Sequence, residues 1–163
     1  MNYRKLFDMQ TGLDQHIETK HQLQAEDLFD RKVLALLVEL GELANETRCF
    51  KFWSLKPSSP KETVLEEFVD GVHFILSLGI ECGFDQENNY SVDLLKKESA
   101  TEQFLFVFEQ ISKFRTSRSM EDYKKLFQAY LDLGELLGFN AEETEKAYMD
   151  KNEVNYQRQQ DGY

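Results

Sequence analysis

Proline and cysteine are both scarce in this chain, and each scarcity excludes something. Only two prolines occur in 163 residues, so no proline-rich linker divides the chain. Two cysteines, Cys49 and Cys82, stand without a Cys-x-x-Cys motif and without a histidine cluster beside them. That argues against a disulfide scaffold or a zinc site and reads as the reduced thiols of a cytoplasmic protein. Basic residues are outnumbered, 19 Lys and Arg against 30 Asp and Glu, for a formal net charge of −11. An exterior so acidic disfavours nucleic acid or an anionic membrane as a partner of the whole surface, while leaving room for a local basic pocket. Long apolar runs are missing too: residues 33–40 and 72–80 are the most apolar, and both are too short to span a bilayer. The polar start, Met1-Asn2-Tyr3-Arg4-Lys5, lacks a signal-peptide pattern. β-Branched alternation is almost absent, and no repeat or low-complexity tract is visible.

What is present suits one folded domain over residues 1–163, with 41% hydrophobic and 30% charged residues. The apolar residues recur at helical spacing. A first helix is expected over 3–20, with Leu6, Leu13 and Ile17 inward, and a second over 27–48. Residues 49–58 read as a loop. Ser59-Pro60-Lys61-Glu62 predicts a capping box with proline in the first turn, opening a third helix that stops at Gly83. A polar connection covers 85–97. Ser99-x-x-Glu102, Ser119-x-x-Asp122 and Asn140-x-x-Glu143 open three more helices, the fifth ending near Gly138. The fold class is all-α, a compact bundle of about six helices. Thirteen Phe and seven Tyr exceed what a thin bundle needs, which suggests that some lie in a subunit interface.

Two carboxylate couples carry the chemistry. Glu39-Leu-Gly-Glu42 is followed, after twenty-four residues, by Glu67-Phe-Val-Asp70. Spacing of i, i+3 puts both members of a couple on one helical face. Advancing about 100° per residue from Glu39 gathers Val33, Leu36, Leu37, Leu40 and Leu43 on one side. Glu39 borders that apolar side and Glu42 points further out. Glu67 and Asp70 edge the apolar side of the third helix in the same way, with Phe74 on their stripe. One Glu-x-x-Glu is ordinarily a solvated face, but two couples at the core edge of adjacent helices would face each other across a cleft. Their repulsion calls for cations, and four hard oxygen ligands suit Mg²⁺ and then Mn²⁺, which points to phosphate chemistry. Di-iron bundles need Glu-x-x-His on two helices. Only Asp70-x-x-His73 approaches that pattern, so oxygen-only coordination fits better and His73 reads as a hydrogen-bonding neighbour.

Two further clusters stand out. Arg48-Cys-Phe-Lys51-Phe-Trp53-Ser-Leu-Lys56 mixes cations with the sole tryptophan and suits an anion bearing an aromatic ring; a loop merely anchored by its aromatics reads as well. Near the end, Lys151, Asn155 and Arg158 fall at i, i+4, i+7 on one face, able to hold phosphates and read a polar edge. A solvated terminal helix is the plain alternative.

Taken together these segments resemble the all-α, dimeric-type dUTP pyrophosphatases, within the MazG-like nucleotide pyrophosphohydrolase superfamily. The superfamily motif ExxE, spacer, ExxD stands here as Glu39–Glu42 and Glu67–Asp70. The dUTPase branch adds Met9-Gln10 with Leu13-Asp14, the Arg48 to Trp53 segment, His73-Phe74, and Lys151-Asn152, Asn155, Arg158-Gln159 and Gly162-Tyr163. The resemblance covers nearly the whole chain. It implies a four-helix catalytic core, a homodimer, and hydrolysis of dUTP to dUMP and diphosphate, with dUDP also a substrate. It further implies that Glu39, Glu42, Glu67 and Asp70 hold Mg²⁺, or Mn²⁺ in its place, with Glu39 or Glu42 orienting the attacking water or taking its proton. Substrate contacts are expected from Gln10, Lys51, Trp53, His73, Phe74, Lys151, Asn155, Arg158 and Tyr163. Within that set Lys151 and Arg158 would hold phosphates, Gln10 and Asn155 match the uracil edge, Trp53 and Phe74 sandwich the ring, and His73 meet the sugar. A relative acting on another nucleotide such as dCTP, or a non-catalytic helical interaction module, are the alternatives.

Overall fold

A computed structural model describes residues 1–87, 89–94 and 96–162. Among these residues there are six helices and no strand: α1 (Tyr3–Lys20), α2 (Phe29–Thr47), α3 (Lys61–Glu81), α4 (Ala100–Ser117), α5 (Met120–Leu136) and α6 (Ala141–Gln160). The all-α expectation is met, and no helix is long and apolar enough to cross a membrane among the described residues.

Local signals place most of the boundaries. The Ser99 hydroxyl accepts from the Glu102 amide while the Glu102 carboxylate reaches back to the cap, and Asn140 and Glu143 repeat that exchange at α6. The Ser119 side chain caps α5 through the Asp122 amide. Beyond α3, Gly83 takes φ +72°, a turn conformation that glycine adopts without steric penalty. Two expectations need correction. Helix α2 is shorter than 27–48: Asp27 Oδ1 accepts from the Phe29 amide at 3.0 Å, and Arg48 closes the helix in the left-handed region at φ 59°. The capping box at Ser59 does not form. The Ser59 hydroxyl instead donates to the Glu46 carboxylate, Pro60 occupies the cap position, and α3 starts at Lys61. A tertiary acceptor outcompeted the local amide, and the result ties the entry of α3 to α2.

Helix α3 is the centre of the bundle, packing against α1, α2, α5 and α6. Its burial is accordingly not one stripe: Phe68, Val72, His73, Ile75, Ser77 and Leu78 are all buried. Helices α4 and α5 pair with each other and close the other side. The aromatic surplus is mostly spent here. Tyr90, Tyr123, Tyr130 and Tyr148 are buried, as are seven of the thirteen phenylalanines, and Tyr3, Phe7, Tyr90, Tyr123 and Phe127 form one cluster of edge-to-face and tilted rings. The aromatics left outside concentrate in the loop after α2, where Phe52 is 94% and Trp53 66% exposed.

Close approach at Gly71 sets the height of α3 against α5. The Tyr130 hydroxyl donates to the Phe68 carbonyl at 3.0 Å, and its ring stacks on Phe68 with centroids 4.8 Å apart. A Cβ on Gly71 would lie 1.9 Å from that hydroxyl. Alanine in mid-helix ordinarily gains up to about 1 kcal/mol over glycine. Here overpacking outweighs the gain, and Gly71→Ala is expected to lose about 1–3 kcal/mol in urea unfolding; a variant at least as stable as the parent would refute the packing argument.

Candidate active site

Packing of α2 against α3 turns the two sequence couples into one cluster. Carboxylate oxygens of Glu39, Glu67 and Asp70 lie within 4.8 Å of one another, each side chain half-buried. Glu42, one turn along α2, is exposed and outside that triad. Its charge is still felt, for it pushes up the pKa of both Glu39 and Glu67. Burial is the largest cause at Glu39, followed by Asp70, Glu42 and Glu67, and together they raise it to about 7. Glu67 and Asp70 are raised as well, by burial first.

Two cations bear on this charge, Lys151 by contact and Arg158 through its field. Lys151 of α6, buried, pairs with Asp70 Oδ2 at 2.7 Å and Glu66 Oε1 at 2.8 Å. Burial works against its charge, yet those two carboxylates hold its pKa above the ordinary lysine value. Two cations cannot neutralise Glu39, Glu67, Asp70, Glu66 and the nearby Glu42. The excess of hard oxygen donors fits a divalent cation of the Mg²⁺ or Mn²⁺ kind.

The cluster opens into a cavity of about 330 Å³ built by α1, α2, α3 and α6. Glu39 and Asp70 line it at one end; Lys32 and Ser77, each seven residues along the same helices, line it about 10 Å further on. The wall between carries His73 and Phe74 from α3 and Asn155, Arg158 and Gln159 from α6. A volume of this order accommodates a nucleoside-sized group.

The far end is a network of paired polar groups. Gln10, only 3% exposed, donates through Nε2 to Asp14 Oδ1 at 2.7 Å. Its Oε1 accepts from the Tyr148 hydroxyl at 2.7 Å and faces His73 Nδ1 at 2.8 Å. Asp14 Oδ2 accepts from Ser77 at 2.5 Å and lies 3.6 Å from Lys32 Nζ, which also pairs with Glu18 and Glu81. The His73 ring stacks on Tyr148, centroids 4.1 Å apart. Burial first and the Lys151 charge second press its pKa down to about 3, while the Tyr148 backbone acts the other way, so the imidazole is neutral at physiological pH.

Of the residues that the sequence singled out, Glu39, Asp70, Gln10, His73, Phe74, Asn155 and Arg158 line this one cavity. Glu67 and Lys151 adjoin it through the cluster. Lys51 and Trp53 lie outside its lining, on the loop after α2, where Lys51 pairs with Asn45 and Trp53 packs on Phe50 and Phe52. Tyr163 lies outside the described residues. Sequence reasoning gave no role to Asp14, Lys32, Ser77 and Tyr148. The i, i+4 spacing of Gln10 and Asp14 was the visible signal for the first of them.

The family model for dUTPase matches residues 2–163. No curated protein matches the chain.

Glu39 binds a proton more readily folded, at about 7, than unfolded, near 4.5. Ionising it therefore destabilises the fold. The loss sets in as pH rises past about 4.5 and is complete above about 7, with Glu67 and Asp70 adding in the same direction. In EDTA the melting temperature should fall between about pH 5 and about pH 7.5, and Glu39→Gln should flatten that fall. An unchanged slope in the variant would remove Glu39 as its source.

Proposed function

The chain belongs to the dUTPase family and hydrolyses dUTP to dUMP and diphosphate; from that premise we propose that the α2–α3 carboxylate cluster and the adjoining cavity are its active site. The observation that carries this reading is the triad of Glu39, Glu67 and Asp70, converging within 4.8 Å at one end of a nucleoside-sized cavity. Enzymes of this family depend on a divalent metal, and in this chain Glu39, Glu67 and Asp70, with Glu42 beside them, would hold Mg²⁺, or Mn²⁺ in its place. Such a cation supplies neutralisation of the charge that builds on the transferring phosphoryl group.

The chain's own residues do the rest. Lys151, fixed at 2.7 Å from Asp70, brings a positive charge to the phosphate end. Arg158 lines the cavity from the same helix and extends that end toward the substrate. Glu42 stands outside the triad, and it or Glu39 takes the proton of the attacking water. Phe74 offers the base an apolar face, and Asn155 an amide for the ring edge. His73 is neutral and buried against Tyr148, so it offers a hydrogen bond without a charge. Among the proposed contacts, Lys51 and Trp53 find the least support, since they stand away from the cavity. dUDP, which keeps the base, the sugar and a phosphoanhydride, is a second substrate. The exposed apolar residues Leu34, Val38, Phe52, Trp53, Leu55 and Leu105 support a homodimer. Cys49 and Cys82 are free thiols, which supports a cytoplasmic location.

Purified protein with Mg²⁺ should release dUMP and diphosphate from dUTP and lose turnover in EDTA. Glu67→Gln is expected to lower kcat at least about 100-fold with the melting temperature retained or raised. Full activity in that variant would place the chemistry elsewhere. Asn155→Ala should narrow the preference for dUTP over dCTP, and unchanged discrimination would remove Asn155 from base reading.

A further inference from the structure

Hydrogen bonds at the far end of the cavity form a chain whose polarity is set at one residue. Asp14 receives the Ser77 hydroxyl at 2.5 Å and faces the Lys32 ammonium at 3.6 Å, with its side chain 12% exposed. Burial pushes its pKa up, but these donors favour the ionised carboxylate, which can only accept. The Gln10 atom 2.7 Å from Asp14 Oδ1 must then be the amide nitrogen. This orientation turns the Gln10 oxygen toward the Tyr148 hydroxyl and His73 Nδ1. A carbonyl oxygen carries no proton, so a neutral His73 places its own on Nδ1. Its other nitrogen, Nε2, is buried on a residue that lines the cavity and has no hydrogen-bond partner among the described residues. A buried polar atom left bare is costly unless a ligand meets it.

We propose that Asp14 is a positioning residue for dUTP hydrolysis. By holding the Gln10 amide in one orientation it fixes the Nδ1–H tautomer of His73, so that Nε2 meets the nucleoside as a hydrogen-bond acceptor. The inference rests on the reading that this cavity takes the nucleoside. The donor it would meet is the sugar 3′-hydroxyl or the ring N3–H.

Asp14→Asn is the decisive change. Ser77 and Lys32 still donate to the side-chain oxygen, which leaves the new amide group to donate toward Gln10. The Gln10 amide then turns over, its nitrogen faces His73, and the proton of His73 moves to Nε2. Long-range proton–nitrogen spectra of the labelled enzyme, with His73 assigned by comparison with His73→Gln, should show Nδ1–H in the parent and Nε2–H in Asp14→Asn. KM for dUTP should rise about tenfold while kcat changes less than about threefold. Adding Gln10→Glu to Asp14→Asn restores an obligate acceptor opposite Nδ1 and should return both the tautomer and KM. Against 2′,3′-dideoxyuridine triphosphate the KM defect vanishes if the donor is the 3′-hydroxyl and persists if it is N3–H, and each result supports the acceptor role.

A parent enzyme with its proton on Nε2 overturns the proposal. So does an Asp14→Asn variant whose tautomer and KM both match the parent. If that variant fails to fold, the double variant decides, and Nε2–H there is equally fatal. A switched tautomer with unmoved kinetics sustains the relay but sinks the reading that His73 touches the substrate.

Discussion

Three carboxylates whose oxygens lie within 4.8 Å of one another cannot all ionise at the half-buried edge of a core without a cation. Much of the architecture answers that constraint. Helices α2 and α3 must lie side by side to bring Glu39 to Glu67 and Asp70, and α6 must pack on α3 for Lys151 to reach Asp70. A single lysine reduces the repulsion without removing it, which is why Glu39 is held near neutrality while Lys151 is held more firmly charged. The site is thus electrostatically strained by construction. That strain is tolerable because α3 is buried on several sides, its position fixed by packing such as the Phe68–Tyr130 stack. A charge cluster on a less anchored helix would relieve itself by moving apart.

The two ends of the cavity solve opposite problems. At the cluster end the charges are unbalanced, and binding of a cation and phosphates would complete them. At the far end the carboxylates gather on a cation within the protein: Lys32 sits among Asp14, Glu18 and Glu81, and its charge is strengthened by them despite burial. The wall between the two ends adds a neutral imidazole and amide dipoles. That division suits a substrate whose charge is confined to one end, and it would orient the substrate before any base contact is made.

Much of this could be read from the chain, and the limits have physical causes. The i, i+3 couples identify Glu39, Glu67 and Asp70 because their partners are local in sequence and their facing helices are adjacent. Glu42 shares the i, i+3 spacing that brings both Glu67 and Asp70 into the triad, but one turn beyond Glu39 its side chain is exposed, a difference set by how α2 lies on α3 and not by spacing. The caps at Ser99, Ser119 and Asn140 are legible because the accepted amide is two or three residues away. Ser59 is not, because its hydroxyl found Glu46 on another helix. Gln10 shows the same limit: its type suggested base reading, yet Tyr148, His73 and Asp14 claim most of its amide, and two of those partners are far away in sequence. Trp53 sits in a loop with no periodicity to locate it.

The contrast between Gln10 and Asn155 bears on how uracil would be selected. An amide can present either its donor or its acceptor by turning over, so it discriminates between bases only if its orientation is fixed. Asn155 lines the cavity, but no hydrogen bond of its side chain fixes it among the described residues. Its amide would read the uracil edge only once bound substrate has fixed its orientation. Gln10 is held on both sides, and one hydrogen of its amide nitrogen remains uncommitted in the cavity wall. Such a donor, were it to meet the base, would favour the carbonyl at the 4 position of uracil and oppose the amine that cytosine carries there, because the wrong base would leave two donors facing each other without an acceptor. Selectivity built this way would reside in the ion pairs behind Gln10, from Lys32 through Asp14, as well as in the residue nearest the base.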